Sequence, residues 1–334
     1  LVKRNSALHI YLLRWDTGAY KSLFRGKTIL TLIKWLFHPR IHLRLDDKHP
    51  LGASQHQKII VLDDDVAYCG GIDIIGNRWD TRAHQETELR RKQPDHHDRG
   101  PWHDAAIALQ GPVAKSLADF ARMRWQRAGG KPIPPASIAN DCWSPCLEVM
   151  FSNVQTAIAR SQPEMPDQQE IIEIENLYLD LIASAEKYIY AESQYFASRK
   201  IAEAIARRLD EPNGPEIVVI NPKTADGWLE PLAMDTARKR LIEALRQRDK
   251  YDHFRLYHAL NEAGDEIYVH AKITIVDDRI LRIGSSNFNN RSLRMDTECD
   301  VVIEAASSDG RHVSQAIADV RNDLLAEHLG ATSK

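Results

Sequence analysis

Strand-length apolar runs and helical-period segments alternate along the chain. His9–Leu13, Lys58–Leu62, Ala105–Leu109, Tyr188–Ala191, Ile217–Ile220, Ile273–Val276 and Asp300–Ile303 are short and rich in β-branched residues, and predict strands. Val113–Trp125, Glu170–Ala185, Ile201–Leu209 and Thr236–Arg246 repeat their apolar positions at helical spacing and predict helices. That alternation predicts an α/β fold. The stretch Gly129-Gly-Lys-Pro-Ile-Pro-Pro135, loop-like onward to Pro145, suits neither helix nor central strand. It divides the chain into expected units of residues 1–135 and 147–334.

The pattern also repeats. Placing His56 on His270, an offset of 270 − 56 = 214, superposes Lys58 on Lys272, Asp63 on Asp277, Asp64 on Asp278, Gly70 on Gly284 and Asp73 on Asn287. Further on, Asp104-Ala-Ala-Ile-Ala-Leu109 matches Glu298-Cys-Asp-Val-Val-Ile303, an acid followed by a strand, at 298 − 104 = 194. The first copy therefore carries 214 − 194 = 20 extra residues, the charged and His-rich stretch Thr81–Gly100. Its strand at Ile10 precedes the His by 56 − 10 = 46 residues. That is close to the 270 − 217 = 53 for Ile217 and far from the 270 − 189 = 81 for Ile189. The first copy is thus expected to lack its opening strand and helix, and the start Leu1-Val-Lys-Arg, without Met, reads as cut or processed.

The chain has 334 residues, 43% of them hydrophobic, with 44 basic against 47 acidic side chains and a net charge of −3. This allows about two domains and gives no polybasic footprint for nucleic acid. Affinity for an anion must come from a few placed residues. Four cysteines are too few and scattered for a disulfide framework, although a Cys142–Cys146 bridge is an alternative to free thiols. The run Ile29–Phe37, interrupted by Lys34, is far short of the roughly 20 residues of a membrane span. Trp35-Leu-Phe37 and Trp228-Leu229 read as core packing, or alternatively as membrane-facing aromatics. Asp95-His-His-Asp98 reads as a solvated loop rather than a metal tract.

Each repeat carries His-x-Lys-x4-Asp: His56, Lys58, Asp63 and His270, Lys272, Asp277. On a strand, His and Lys at i and i+2 share a face, whereas the Asp, an odd number of positions on, takes the opposite one. Asp63 and Asp277 are therefore expected to be structural, behind the site. A lysine beside each histidine argues against a metal, because an ammonium has no lone pair to donate. Two His and two Lys brought together across a pseudo-twofold suit a phosphodiester, one imidazole attacking phosphorus and the other protonating the leaving alkoxide. No cofactor is required.

The duplicated motif resembles the signature of the phospholipase D superfamily. Gly284-Ser-Ser-Asn287, Ile189-Tyr-Ala-Glu-Ser-Gln-Tyr-Phe196 and Pro101-Trp-His-Asp104 are similar to further segments of that family. The chain departs from the pattern at Gly71, where the second copy has Ser285, at Asp73, where it has Asn287, and at Ser193, where Asn is usual. The resemblance implies two similar mixed α/β/α sandwich halves about a pseudo-twofold. It also implies His56 as nucleophile, His270 as acid/base, and a carboxylate on the following strand for each. Asp104 is accordingly assigned to His56 and Glu298 to His270, with Asn287, Ser285, Asp73 and Gln194 as substrate contacts and Glu192 behind them. The expected activity is hydrolysis of the distal phosphodiester of glycerophospholipids, with transfer to alcohols. Cardiolipin synthase-like transfer, nucleic-acid hydrolysis and an inactive scaffold are the alternatives. The expected partner is a phospholipid at a membrane surface, with no nucleic acid, no membrane span in this chain, and a monomer whose two halves complete one site.

Overall fold

The structure, a computed structural model, describes residues 1–16, 28–74, 78–91, 100–136, 142–224, 236–306 and 311–331. It is a mixed α/β fold. In the first third of the chain β1 (Ile10–Trp15) and β2 (Ile41–Asp46) pair in parallel, with helix α1 (Thr28–Leu36) between them in sequence. β3 (Ile59–Leu62), β4 (Val66–Gly70), β5 (Trp102–His103) and β6 (Ala106–Gln110) follow, then α2 (Pro112–Arg127); β3, β4 and β6 form an antiparallel sheet with β4 in the middle. Residues 128–136 and 142–155 carry neither helix nor strand.

Beyond them come β7 (Thr156–Gln162), β8 (Ile171–Ile172), α3 (Glu173–Ser184), β9 (Tyr188–Glu192), β10 (Phe196–Ala197), α4 (Arg199–Leu209), β11 (Glu216–Ile220), α5 (Thr236–Arg248), β12 (Phe254–Tyr257), β13 (Tyr268–Val269), β14 (Ile273–Val276), β15 (Ile280–Gly284), β16 (Phe288–Asn289), β17 (Glu298–Glu304) and α6 (Arg311–His328). Eight of these strands make one sheet in the order β12-β11-β9-β14-β15-β17-β7-β8. It is parallel across β12, β11 and β9 and antiparallel beyond.

Both faces of the large sheet are covered. Ile189, Ile217, Val219 and Val276 pack against Ile174, Tyr178, Ile201, Ile205 and Leu245 of α3, α4 and α5. On the other face Ile275, Leu281, Ile283 and Ile303 meet Val313, Ile317 and Leu324 of α6. Cys299 and Val301 meet Ala67, Cys69, Leu109, Ala114 and Leu117, which joins the small sheet and α2 to the large one. Strands buried on both faces read as unbroken apolar runs. β14 is accordingly Ile-Thr-Ile-Val with all four residues buried, whereas β3 alternates half-buried with exposed.

The repeat is visible in the strands. β2 starts 56 − 41 = 15 residues before His56 and β12 starts 270 − 254 = 16 before His270, so β1 and β2 stand for β11 and β12, and β3 for β14. In the large sheet β9 lies between β11 and β14; among the described residues no strand lies between β1 and β3, and the two small sheets stay separate. The repeated acid pairs are turn chemistry. Asp63-Asp64 and Asp277-Asp278 all have positive φ, +49° to +61°, as the type I′ turns joining β3 to β4 and β14 to β15 require. The Asp277 carboxylate also accepts from the N–H groups of Glu186, Lys187 and Tyr188 at 2.7–2.8 Å, fixing the entry to β9.

All four cysteines are free thiols, so the Cys142–Cys146 bridge is absent. Trp35 and Phe37 are 37% and 84% exposed rather than packed in the core, because α1 ends at Leu36 and leaves Phe37 beyond it. Trp228-Leu229 and His96-His97 lie outside the described residues. No described helix is long and apolar enough to cross a membrane.

A buried ion pair braces the sheet under the site. Arg282 donates to Asp300 Oδ2 from Nε (2.9 Å) and Nη2 (2.5 Å), and Asp300 Oδ1 accepts from the Ser285 and Ser286 N–H groups; both side chains are wholly buried. Removing one partner of such a pair leaves an uncompensated charge. Arg282→Met is therefore expected to cost about 3–5 kcal/mol, read as a lower urea midpoint at unchanged slope.

Candidate active site

The motif histidines sit where the chain enters β3 and β14, and each entry segment is paired with the opposite half of the chain. Gln55 bridges Thr297 in parallel, the His56 N–H donates to the Thr297 carbonyl at 3.0 Å, and the Thr297 N–H donates to the Ser54 carbonyl at 3.0 Å. In the same way Val269 pairs with His103, and the His270 N–H donates to the His103 carbonyl at 2.7 Å. The offsets agree with the repeat: 269 − 55 = 214 and 297 − 103 = 194. These are two copies of one contact across a pseudo-twofold.

The carboxylates are consequently exchanged. His56 Nδ1 lies 2.9 Å from both oxygens of Glu298, and His270 Nδ1 lies 2.7 Å from Asp104 Oδ2. This corrects the sequence-based pairing, which gave Asp104 to His56 and Glu298 to His270. Each histidine runs alongside the carboxylate segment of the other repeat, not its own. Asp63 and Asp277 lie beyond the ends of β3 and β14, in the hairpin turns, so the expected placement on the opposite strand face does not apply; they are turn residues away from the histidines.

Each lysine turns back on its histidine. Lys58 Nζ donates to the His56 carbonyl at 2.8 Å, and Lys272 Nζ to the His270 carbonyl. Asp73 joins them, 3.5 Å from Lys58 Nζ and 2.5 Å from Arg78 Nη1. Burial pushes the Asp73 carboxyl up, but Lys58 first and then Arg78 outweigh it and hold the group well below the usual carboxylate range. The same cations act on His270. Burial first, then Lys272, Arg78 and Lys58, push its pKa well below 6.5, so the free imidazole is neutral. Burial also lowers the Lys272 ammonium and raises the Asp104 carboxyl, each partly countered by the other. The His56 side chain is 27% exposed and that of His270 4%.

Glu298, wholly buried, also accepts from Ser285 Oγ (2.5 Å) and Ser292 Oγ (2.6 Å). Ser285 thus supports the carboxylate. Asn287 is buried with its Oδ1 unpartnered. Gln194 donates to the hydroxyls of Tyr195 (3.1 Å) and Tyr268 (2.9 Å), and Ser193 ties Phe288 N–H at 3.1 Å. Glu192 contacts His103, not the motif histidines.

An aromatic stack walls the His270 side. The Trp102 ring stacks on Tyr268 (centroids 4.6 Å apart), lies 5.2 Å from His270 and carries the Arg78 guanidinium at 4.9 Å. Sequence reasoning missed Arg78. The offset of 292 − 78 = 214 places it on Ser292, a residue of different chemistry, so the repeat gave no signal for it.

Gly71 is explained by the exchanged carboxylate. A Cβ there would lie 2.3 Å from Asp104 Oδ1 and 3.0 Å from the His270 carbonyl. Gly71→Ala is therefore expected to drive Asp104 off His270 and lower kcat about 10²-fold, the scale of a 1 Å misplacement. Steady-state kinetics alongside a thermal melt would separate this from unfolding.

A family model described as cardiolipin synthase, PLD-like domain, matches residues 178–323. The chain is 24% identical over 439 aligned positions to phospholipase D alpha 1 of Carica papaya, covering 98% of this chain and 53% of that protein. It is 26% identical over 409 positions to phospholipase D A of Dictyostelium discoideum, covering 99% of this chain and 31% of that protein. The chain thus spans about half or less of these relatives. Among solved structures, phosphatidylserine synthase of Haemophilus influenzae Rd KW20 shares the fold, with a TM-score of 0.65 at 14% identity over 97% of this chain and 75% of that one. In fold and over almost its whole length, the chain is similar to members of the phospholipase D superfamily.

Proposed function

We propose that the chain cleaves the distal phosphodiester of glycerophospholipids, releasing phosphatidic acid through a covalent phosphohistidine on His56. The observation that carries this reading is the crossed pair of His–carboxylate contacts, with both lysines beside them. Residues 1–135 and 147–334 each supply one histidine, one lysine and one carboxylate to a single site.

Glu298 holds the Nδ1–H of His56 and leaves its Nε2 lone pair free. His56, the more exposed imidazole and the one the family resemblance implies as nucleophile, attacks phosphorus. The phosphorus–oxygen bond to the headgroup breaks as His270 gives its proton to the departing alkoxide. Lys58 and Lys272 donate to the phosphoryl oxygens as charge builds up there. Water then attacks phosphorus, His270 takes its proton, the phosphorus–nitrogen bond breaks and phosphatidate leaves. Asn287 and Asp73 flank the phosphoryl group in this scheme, and no cofactor takes part.

His270 must be protonated to act as acid, yet it is neutral in the free chain. A bound phosphodiester offsets the field of Lys272, Arg78 and Lys58, so substrate raises the His270 pKa. The alkaline limb of kcat/KM, which reports the free enzyme, is therefore expected at lower pH than that of kcat.

The test supplies vesicles of phosphatidylcholine, phosphatidylethanolamine or phosphatidylglycerol, and separately an oligonucleotide, with ethanol and chelator present. Phosphatidic acid and phosphatidylethanol in a ratio independent of the departing headgroup are expected, because the intermediate no longer contains it. Absence of phosphatidylethanol would rule out the covalent step. Cleavage of the oligonucleotide alone would overturn the substrate class.

A further inference from the structure

Beside Asp104 the chain buries a network that the scheme above does not use. His103 is 4% exposed and sits between two carboxylates: Nε2 is 2.7 Å from Glu192 Oε2 and Nδ1 is 2.9 Å from Glu327 Oε1. Each carboxylate has further partners. Glu192 Oε1 accepts from Tyr190 Oη (2.5 Å) and lies 2.9 Å from His328 Nε2. Glu327 faces His84 Nε2 (3.0 Å) and Arg82 Nη2 (3.2 Å). His84 Nδ1 continues to Asp80 (3.0 Å), which also accepts from the Trp102 N–H (2.7 Å) and from Arg91 (3.2 Å). The groups come from β5, β9, the end of α6 and the segment 80–91.

Burial disfavours charge on His103, but Glu192 and Glu327 outweigh it and raise its pKa to about 10. Both ring nitrogens are then donors, and the ring cannot rotate without abandoning a buried carboxylate. Its place in the chain gives this consequence. His103 precedes Asp104, and its own carbonyl accepts from the His270 N–H. One residue therefore anchors both members of the His270–Asp104 pair. Among the described residues the other half shows no such device: 297 − 103 = 194 puts Thr297 at the equivalent position, where its hydroxyl donates to Gln55 Oε1 at 2.6 Å.

The same atoms lie close enough to hold a metal ion, in the sets His84, His103, Glu327 and His103, Glu192, His328. Each set contains His103, however, and a ring protonated on both nitrogens must lose a proton before it can ligate.

We propose that His103, clamped by Glu192 and Glu327, is a positioning residue that fixes Asp104 against His270 and so couples the end of α6 to the acid/base of the reaction. The role given to His270 rests on the function proposed above. Loosening the clamp leaves Asp104 free to drift, and His270 then loses the partner that selects its Nδ1–H tautomer.

The test uses the full chain with His103→Gln and, as a milder variant that keeps the imidazole, Glu327→Gln. Two readouts are taken. Imidazole 15N NMR of His270, without substrate, is expected to show a single Nδ1–H tautomer in the parent and a mixture in His103→Gln, with Glu327→Gln between them. Turnover is expected to fall about 10–100-fold in kcat with little change in KM, and the alkaline limb of the kcat profile should move to lower pH. An unchanged His270 tautomer in both variants, or a kcat loss matching the unfolded fraction with no limb shift, would overturn the proposal. So would stoichiometric Zn²⁺ binding to the parent that is lost in His103→Gln. If the parent turns over no phospholipid, the function reading fails; the NMR comparison still decides the positioning role.

Discussion

His270→Asn is expected to lower kcat on phospholipid by about 10²–10⁴-fold, the range for loss of a general acid, while His56→Asn leaves no measurable turnover. The difference follows from what remains. Without His270 the nucleophile and both lysines persist, and the penalty is that of expelling an unprotonated alkoxide. Without His56 there is no atom to form the bond to phosphorus. Neither change should unfold the chain. Glu298 keeps Ser285 and Ser292 when His56 is lost, and Asp104 keeps the Ala105 N–H at 2.9 Å when His270 is lost. A p-nitrophenyl phosphodiester, whose leaving group needs no proton, should restore much of the His270→Asn burst and none of the His56→Asn activity. Circular dichroism and a thermal melt would verify that both variants are folded.

Because the carboxylates are exchanged, their isosteric variants should differ in kind. Glu298→Gln disorders the nucleophile and Asp104→Asn the acid, each expected to cost about 10²–10⁴-fold on phospholipid. On the p-nitrophenyl substrate the Asp104→Asn burst should recover, since the step that Asp104 supports is bypassed. The Glu298→Gln deficit should persist. The uncrossed pairing, Asp104 with His56 and Glu298 with His270, gives the reverse, so the burst rates discriminate between the two arrangements.

Strands β9, β11, β14 and β17 of the large sheet were legible because strands covered on both faces leave continuous apolar runs, as at Ile217–Ile220 and Ile273–Val276. β7, β8, β12 and β15 of that sheet and helices α1 and α6 went unread: Thr156–Gln162 mixes Arg, Ser and Gln into a partly exposed strand, and Arg282 interrupts the apolar run of β15. The apolar spacing of Val313, Ile317, Val320 and Leu324 was available as a signal for α6. The His/Lys quartet was legible through duplication, which makes chance agreement improbable. Which carboxylate serves which histidine was not, because an internal repeat reports equivalence between halves and says nothing about whether the halves exchange segments. Arg78 and the His103 network break the twofold, and a repeat is blind to what differs between its copies.

In the proposed mechanism His56 and His270 share one site and divide nucleophile from acid. The most direct measurement is acid-free rapid quench of the enzyme with a p-nitrophenyl phosphatidyl ester, followed by peptide mass spectrometry. One phosphatidyl adduct per chain is expected on the peptide bearing His56, formed in the burst, persisting in His270→Asn and absent from His56→Asn. An adduct on His270, or a full burst with no adduct on either histidine, would contradict that mechanism.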